Sequence, residues 1–209
     1  MFLIDTLQTE DIPAVHSAFD IVAKENLFYG VDTAMPIAQF TEWMGTNFQN
    51  QSPQFVALWR ESIIGWSIIS RHDEPCRQHS GTLFMGLLSP WRGMGVGTHL
   101  LSAALDEAWQ NGLARVQLEV YADNTRAIQL YRKLGFVEEG KRNRAHFTNG
   151  RYRDMLDMAL LAEHAEESRE MLRKVMEAQP EDMSELPQPS SYSISPPPSP
   201  AKYCVSAPS

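Results

Sequence analysis

The run Arg92-Gly93-Met94-Gly95-Val96-Gly97 carries the clearest chemistry in this 209-residue chain. Three alternating glycines remove the side chains that would hold a ligand away from the backbone. An apolar-periodic segment from Thr98 to Trp109 follows at once. A helix therefore opens behind the loop, with unpaired N–H groups and the positive end of its dipole turned toward it. Loop and helix end together predict an anion site. Two nucleotide-binding templates fail on spacing: a P-loop needs a lysine followed by serine or threonine, which the chain lacks, and the dinucleotide pattern needs a third glycine where Thr98 or Leu100 stands. The remaining alternative is a tight turn whose glycines only satisfy backbone geometry.

A second constellation lies downstream, between Val120 and Phe136. Asn124 and Tyr131 are seven residues apart. At ~3.6 residues per turn that is about two turns, so an amide and a phenol share one helix face and can address one elongated ligand.

The elements that must hold these residues follow from periodicity. Phe2 to Leu7 alternates like a short strand, and Thr9-Glu10-Asp11 signals the start of a helix reaching about Asn26. Phe28 to Met35 reads as loop. Pro36 opens a second helix in which Ile37, Phe40, Trp43, Met44 and Phe48 recur at helical spacing. Gln54 to Trp59 and Ile63 to Ser70 form a hairpin around Arg60-Glu61-Ser62, and a further strand from Gly81 to Leu88 delivers the chain to the glycine loop. Behind the loop, Leu100, Leu101, Ala104, Leu105 and Ala108 mark one helix face, closed by Asn111-Gly112. Ala114 to Val120 is a buried strand, and Asp123-Asn124 starts a helix capped by Gly135. Phe136 to His146 and Arg151 to Leu161 flank the hairpin turn Asn149-Gly150. The order β-α-α-β-β-β-α-β-α-β-β predicts an α/β fold: a mixed sheet with helices on both faces.

Composition bounds the rest. With 43% hydrophobic residues the chain can bury one good core. A formal charge of -8 argues against a nucleic-acid partner. Cys76 and Cys204, without ligand spacing, support neither a disulfide framework nor a metal site, which fits a reducing cytosol. Met1-Phe2-Leu3-Ile4-Asp5 lacks a basic leader and no apolar run is long enough to span a bilayer, so a cytoplasmic protein without a membrane partner is expected. Three regions are expected: a domain over 1–161, a charged helical extension over 162–179, and a disordered tail over 180–209, where eight prolines and eight serines cannot supply a core.

On these residues the chain resembles the GCN5-related N-acetyltransferase (GNAT) superfamily, in a branch similar to bacterial amino-acid and small-amine acetyltransferases. Its Q/R-x-x-G-x-G/A signature matches Arg92, Gly95 and Gly97. The likeness extends through Gly65-Trp66, His79 to Leu88, Asn124 to Phe136, Glu139-Gly140, and Asn149 to Met158, and so covers residues 1 to about 161. It implies the GNAT fold, a mixed, mostly antiparallel central sheet whose fourth and fifth strands splay apart. It also implies acetyl-CoA as co-substrate and no metal. In that reading backbone groups of Leu87, Leu88 and Ser89 pair with the pantetheine amides. Backbone N–H groups from Gly93 through Met94, Gly95, Val96 and Gly97 to Thr98 take the pyrophosphate, with Arg92 as an added charge. Asn124, also readable as a helix N-cap, contacts the CoA.

The implied reaction is attack of an amine on a thioester. Tyr131 matches the family's general acid, and a backbone N–H near Leu88 the oxyanion donor. Glu119, His79 and Glu25 are candidates for the general base, with Glu119 on the fifth strand the expected one. The acceptor side is expected along Asn26 to Phe48 and the Asn149 hairpin, where Phe28, Tyr29, Phe40 and Trp43 line a pocket or pack in the core. The expected function is transfer of an acetyl group from acetyl-CoA to a primary amine of a small molecule, an amino acid or related metabolite. The alternatives are acetylation of a protein N-terminus or lysine, and a non-catalytic acyl-CoA-binding protein. Either a monomer or a homodimer is compatible with these residues.

Overall fold

The computed structural model describes residues 2–28, 30–164 and 170. The expected extension and tail therefore lie outside the described residues, apart from 162–164 and Glu170, as do Tyr29 and Cys204. Period-two patterns become β1 (Leu3–Thr6), β2 (Gln54–Trp59), β3 (Ser62–Arg71), β4 (Ser80–Leu87), β5 (Arg115–Tyr121), β6 (Val137–Thr148) and β7 (Arg151–Leu161). Helical patterns become α1 (Ile12–Lys24), α2 (Ile37–Gln49), α3 (Val96–Gln110) and α4 (Thr125–Lys133). The element order is the one read from the sequence. Some ends move: α1 stops at Lys24 rather than Asn26, because Asn26 takes a left-handed φ of 54°. A 3₁₀ turn over Ser89–Trp91, absent from the sequence reading, separates β4 from the glycine loop.

The strands form one sheet in the order β1-β2-β3-β4-β5-β7-β6. All neighbours are antiparallel except β4 and β5, which run parallel. Helices cover both faces: on β4, Leu83 packs in a cluster with Leu101 and Leu105 of α3, whereas the adjacent Phe84 meets Trp43 of α2. Successive side chains point to opposite faces of a strand. Hence α2, with α1 beside it, lies on one face and α3 on the other. Seven consecutive residues of β3, Ile63 to Ile69, are buried, as a strand covered on both sides requires.

The β2–β3 turn is strained. Trp59 pairs with Ser62, leaving Arg60 and Glu61 as a two-residue connection with φ of 47° and 66°. A left-handed conformation costs a residue with a Cβ about 1–2 kcal/mol, and glycine relieves most of it. Replacement Glu61→Gly is expected to stabilise the domain by about 0.5–1 kcal/mol after its larger unfolded-state entropy is counted. A urea midpoint unchanged or lowered would contradict this.

Candidate active site

The sheet opens at its centre. β4 and β5 share only the pairs Ser80↔Arg115, Gly81↔Val116 and Thr82↔Gln117, and part beyond them. β4 stays in register with β3 as far as Leu87, while β5 continues along β7 to Tyr121. A cavity of about 520 Å³ fills the opening. Val22 and Phe28, from α1 and the segment after it, line it together with Leu130 and Tyr131 of α4, so it passes through the sheet from one face to the other.

Main-chain alternation decides which β4 groups face this gap. The N–H of Leu88 donates to Ile64 O at 2.9 Å, so Leu88, Gly86 and Phe84 belong to the β3 ladder. Met85 and Leu87 turn toward the opening, and both line the cavity with Gly86 and Ser89. Leu88 does not line it and is 3% exposed. The N–H of Leu88 itself is thus committed elsewhere, and the donor facing the gap at this end of β4 is that of Leu87.

The glycine loop is built for close approach. Gly93 and Gly95 hold φ of 83° and 80°, and Gly95 caps α3 in the left-handed conformation. Thr98 and His99 donate back to Gly95 O at 2.9 and 3.3 Å. The N–H groups of Gly93, Met94, Gly95, Val96 and Gly97 have no main-chain acceptor among the described residues. Gly93, Gly95, Gly97 and Thr98 line the cavity, whereas the side chains of Val96 and Met94 pack into the core. A methyl group on Gly97 would lie 3.2 Å from the end of the Leu87 side chain and 3.3 Å from that of Leu130, so any larger residue here would push both leucines by a few tenths of an ångström.

Asn124 accepts from Ala127 N at 3.3 Å as the N-cap of α4, and it also lines the cavity. Tyr131 lies two turns on, 8% exposed, and burial pushes its phenol well above the usual tyrosine value. Its hydroxyl has no hydrogen-bond partner among the described residues. Tyr131 packs with Leu118 and Val120, whose side chains point to the α3 face.

Glu119 lies between those two residues on β5 and therefore projects to the opposite face, past the last β4–β5 pair. Its carboxylate accepts from Arg142 at 2.7 Å, and the same guanidinium bonds Asp157 at 2.8 Å. Glu119 does not line the cavity; it stands on the open sheet face beside it. The other two base candidates are placed differently. His79 precedes β4 at the closed end of the sheet, and eight residues at ~3.3 Å put it roughly 26 Å from Leu87. Glu25 is bound by Arg92 through both carboxylate oxygens.

Three cations line the cavity, Arg92, Arg126 and Lys133, and among the described residues no aspartate or glutamate does. Arg126 was not singled out from the sequence. It stands across the glycine loop, its guanidinium 3.8 Å from the position of a Cβ on Gly93, with no ion-pair partner among the described residues. One signal was available: an arginine in the first turn of a helix opposes the macrodipole, so its presence at the start of α4 asks for another reason. Of the aromatics expected on the acceptor side, Phe40 is a core residue against Phe19, Trp43 leans on Phe84, and Phe28 lines the cavity.

The loop should tolerate no side chain at its cap. Gly95→Ala is expected to cost about 1–2 kcal/mol of stability through its left-handed φ, and to weaken coenzyme A binding by about tenfold as the N–H groups are displaced. Calorimetric titration of coenzyme A and urea denaturation measure the two effects; unchanged affinity would separate the loop from anion binding.

Comparison with known proteins agrees with this geometry. The family model described as "Acetyltransferase (GNAT) family" matches residues 17–136. An L-amino acid N-acetyltransferase of Escherichia coli (strain K12) is 31% identical over 108 residues, covering 51% of this chain and 66% of that protein, just under two thirds of its length. Among solved structures, the ribosomal-protein-alanine N-acetyltransferase of Brucella melitensis superposes with a TM-score of 0.71 at 24% identity, over 76% of this chain and 99% of that one. An acetyltransferase of Salmonella typhimurium solved with acetyl-CoA gives 0.72 at 18% identity, over 77% and 93%. Both likenesses are of fold.

Proposed function

The chain belongs to the GNAT acetyltransferase family, and from that premise we propose that it transfers the acetyl group of acetyl-CoA to a primary amine of a small molecule, an amino acid or related metabolite. The observation that carries this reading is the charge of the cavity. A chain of net charge -8 has placed Arg126, Lys133 and a run of N–H groups without main-chain acceptors around one opening, beside an Arg92 already paired to Glu25, and among the described residues no carboxylate lines it. A polyanion is the ligand such a lining favours. The small-molecule acceptor is supported by the L-amino acid acetyltransferase relative.

The chemistry follows from the two faces of the sheet. The donor's thioester lies in the gap, with main-chain groups of Met85 and Leu87 along it and the Leu87 N–H as the donor to the carbonyl oxygen as it gains charge. The amine approaches from the α2 face, where Glu119 takes the proton that nitrogen loses, through water. The C–N bond forms, the C–S bond breaks, and sulfur departs on the α4 side, beside Tyr131. Proton transfer from a phenol above ~10 to a thiolate near ~8.5 is uphill by at least about 2 kcal/mol. Tyr131 therefore acts first as a hydrogen-bond donor that stabilises the departing sulfur; it passes its proton to the thiolate late and regains one from solvent.

Tyr131→Phe is expected to lower kcat by about 10²-fold while acetyl-CoA affinity stays within about twofold. Unchanged thiol release in an amine screen would remove Tyr131 from the chemistry. Because burial raises the phenol, it stays protonated as pH rises, so wild-type kcat is expected to show no downturn below about pH 10. Glu119→Gln should depress kcat/KM at neutral pH by about tenfold and recover as the amine deprotonates on its own near ~8 to ~10. A loss equal at all pH values would exclude Glu119 as base. A panel of amino acids, polyamines and short peptides identifies the acceptor class; if only peptides react, the small-molecule reading fails.

A further inference from the structure

The side chain of Arg92, the first residue of the glycine-loop signature, does not reach out toward a ligand. Nε donates to Leu87 O at 2.9 Å, and Nη1 and Nη2 donate to the two carboxylate oxygens of Glu25 at 2.6 and 2.8 Å. The guanidinium carbon also lies 4.5 Å from the centre of the Phe28 ring. Both partners of the ion pair are largely covered, with side chains 15% and 22% exposed. A bidentate arginine–carboxylate pair in such surroundings is strong and directional. Its charge is answered within the protein, whereas Arg126 stands by the same loop without an ion-pair partner among the described residues.

These contacts join parts of the molecule that are distant in sequence. Leu87 ends β4, Arg92 leads into the glycine loop, Glu25 is the C-cap of α1, and Phe28 belongs to the segment that runs on to α2. That segment is held at its other side by the β6–β7 hairpin. Arg153 donates to Leu27 O at 2.9 Å, Asn149 donates to Asn26 O at 3.3 Å, and a Cβ on Gly30 would come within 2.9 Å of His146. The segment thus borders the open sheet face where Glu119 projects, and its only charged bond to the glycine loop runs, among the described residues, from Glu25 to Arg92.

We infer that Arg92 and Glu25 are positioning residues that couple the donor cavity to the wall of the acceptor side. A donor settling against Gly93 to Gly97 fixes the loop backbone, Arg92 transmits that order to Glu25 and Phe28, and residues 26–28 and 30–35 stiffen as the surface the amine meets. The phosphates are then left to the main-chain N–H groups and Arg126. This inference rests on the acyl-donor reading of the cavity, and it reverses what the signature arginine would otherwise be expected to do.

The test uses the full chain, coenzyme A as the probe, and the variants Glu25→Gln and Arg92→Lys, the second keeping the charge and one bond to Glu25. Hydrogen exchange of the amides in 26–28 and 30–35 is followed with and without coenzyme A. In the wild type, coenzyme A is expected to slow that exchange by about tenfold. In Glu25→Gln, coenzyme A affinity should stay within about twofold of wild type, or tighten as the guanidinium is released, while the protection disappears. The KM for the amine found in the screen should rise by about tenfold, with part of that rise recovered in Arg92→Lys. Loss of coenzyme A affinity by tenfold or more in Arg92→Lys, or protection that persists in Glu25→Gln, overturns the coupling and returns Arg92 to the phosphates. Wild-type protein that fails to bind coenzyme A overturns the acyl-donor reading itself and this inference with it.

Discussion

Beyond Thr82 and Gln117 the strands β4 and β5 share no ladder, and the β4 edge there faces a gap in place of a neighbouring strand. Everything at the site depends on this parting. It makes a passage through the sheet, offers a strand edge to an extended ligand, and brings α1 and α4 to opposite ends of one cavity. It persists because each strand is fully paired on its other side, β4 with β3 and β5 with β7. An edge inside a sheet would otherwise invite closure or aggregation, but here helices on both faces bury its surroundings.

Charge is arranged around the same opening. Acidic residues outnumber basic ones in the chain, yet none of the described ones lines the cavity, while the helix end behind Gly95 and the cations beside it supply positive potential. The two sides of the sheet then divide the labour. Buried, apolar surroundings on the α4 face keep the Tyr131 phenol protonated, and the open α2 face holds Glu119 in an exposed network with Arg142 and Asp157. The alternation of β5 thus separates the two surroundings: Leu118 and Val120 pack with Tyr131 of α4 on one face, and Glu119 stands on the other.

Much of this was legible in the residues. The Gly95 cap, the Asn124 N-cap, the Asn149-Gly150 turn and the apolar periods of α3 and β3 are local signals, and local sterics decide them. The partners of charged side chains were not legible. Arg92 reads as a loop cation free to meet phosphate, yet it is bound to a carboxylate 67 positions earlier. Glu25 and His79 read as equal to Glu119 as candidate bases, but one is bridged by Arg92 and the other stands at the closed end of the sheet. Leu88 reads as the donor beside the gap, and strand alternation gives that place to Leu87.

The sequence by itself determined the order of elements, the glycine loop that opens α3 and the helix face shared by Asn124 and Tyr131, because dihedral preferences, caps and apolar periods act over a few residues. The family resemblance already implied that the fourth and fifth strands splay; only the tertiary structure decided which β4 groups face that gap, which carboxylate stands on the open sheet face beside it, and which cations have no ion-pair partner among the described residues. Those outcomes depend on register between strands and on ion pairs between residues far apart in the chain, and neither leaves a periodic trace in the sequence.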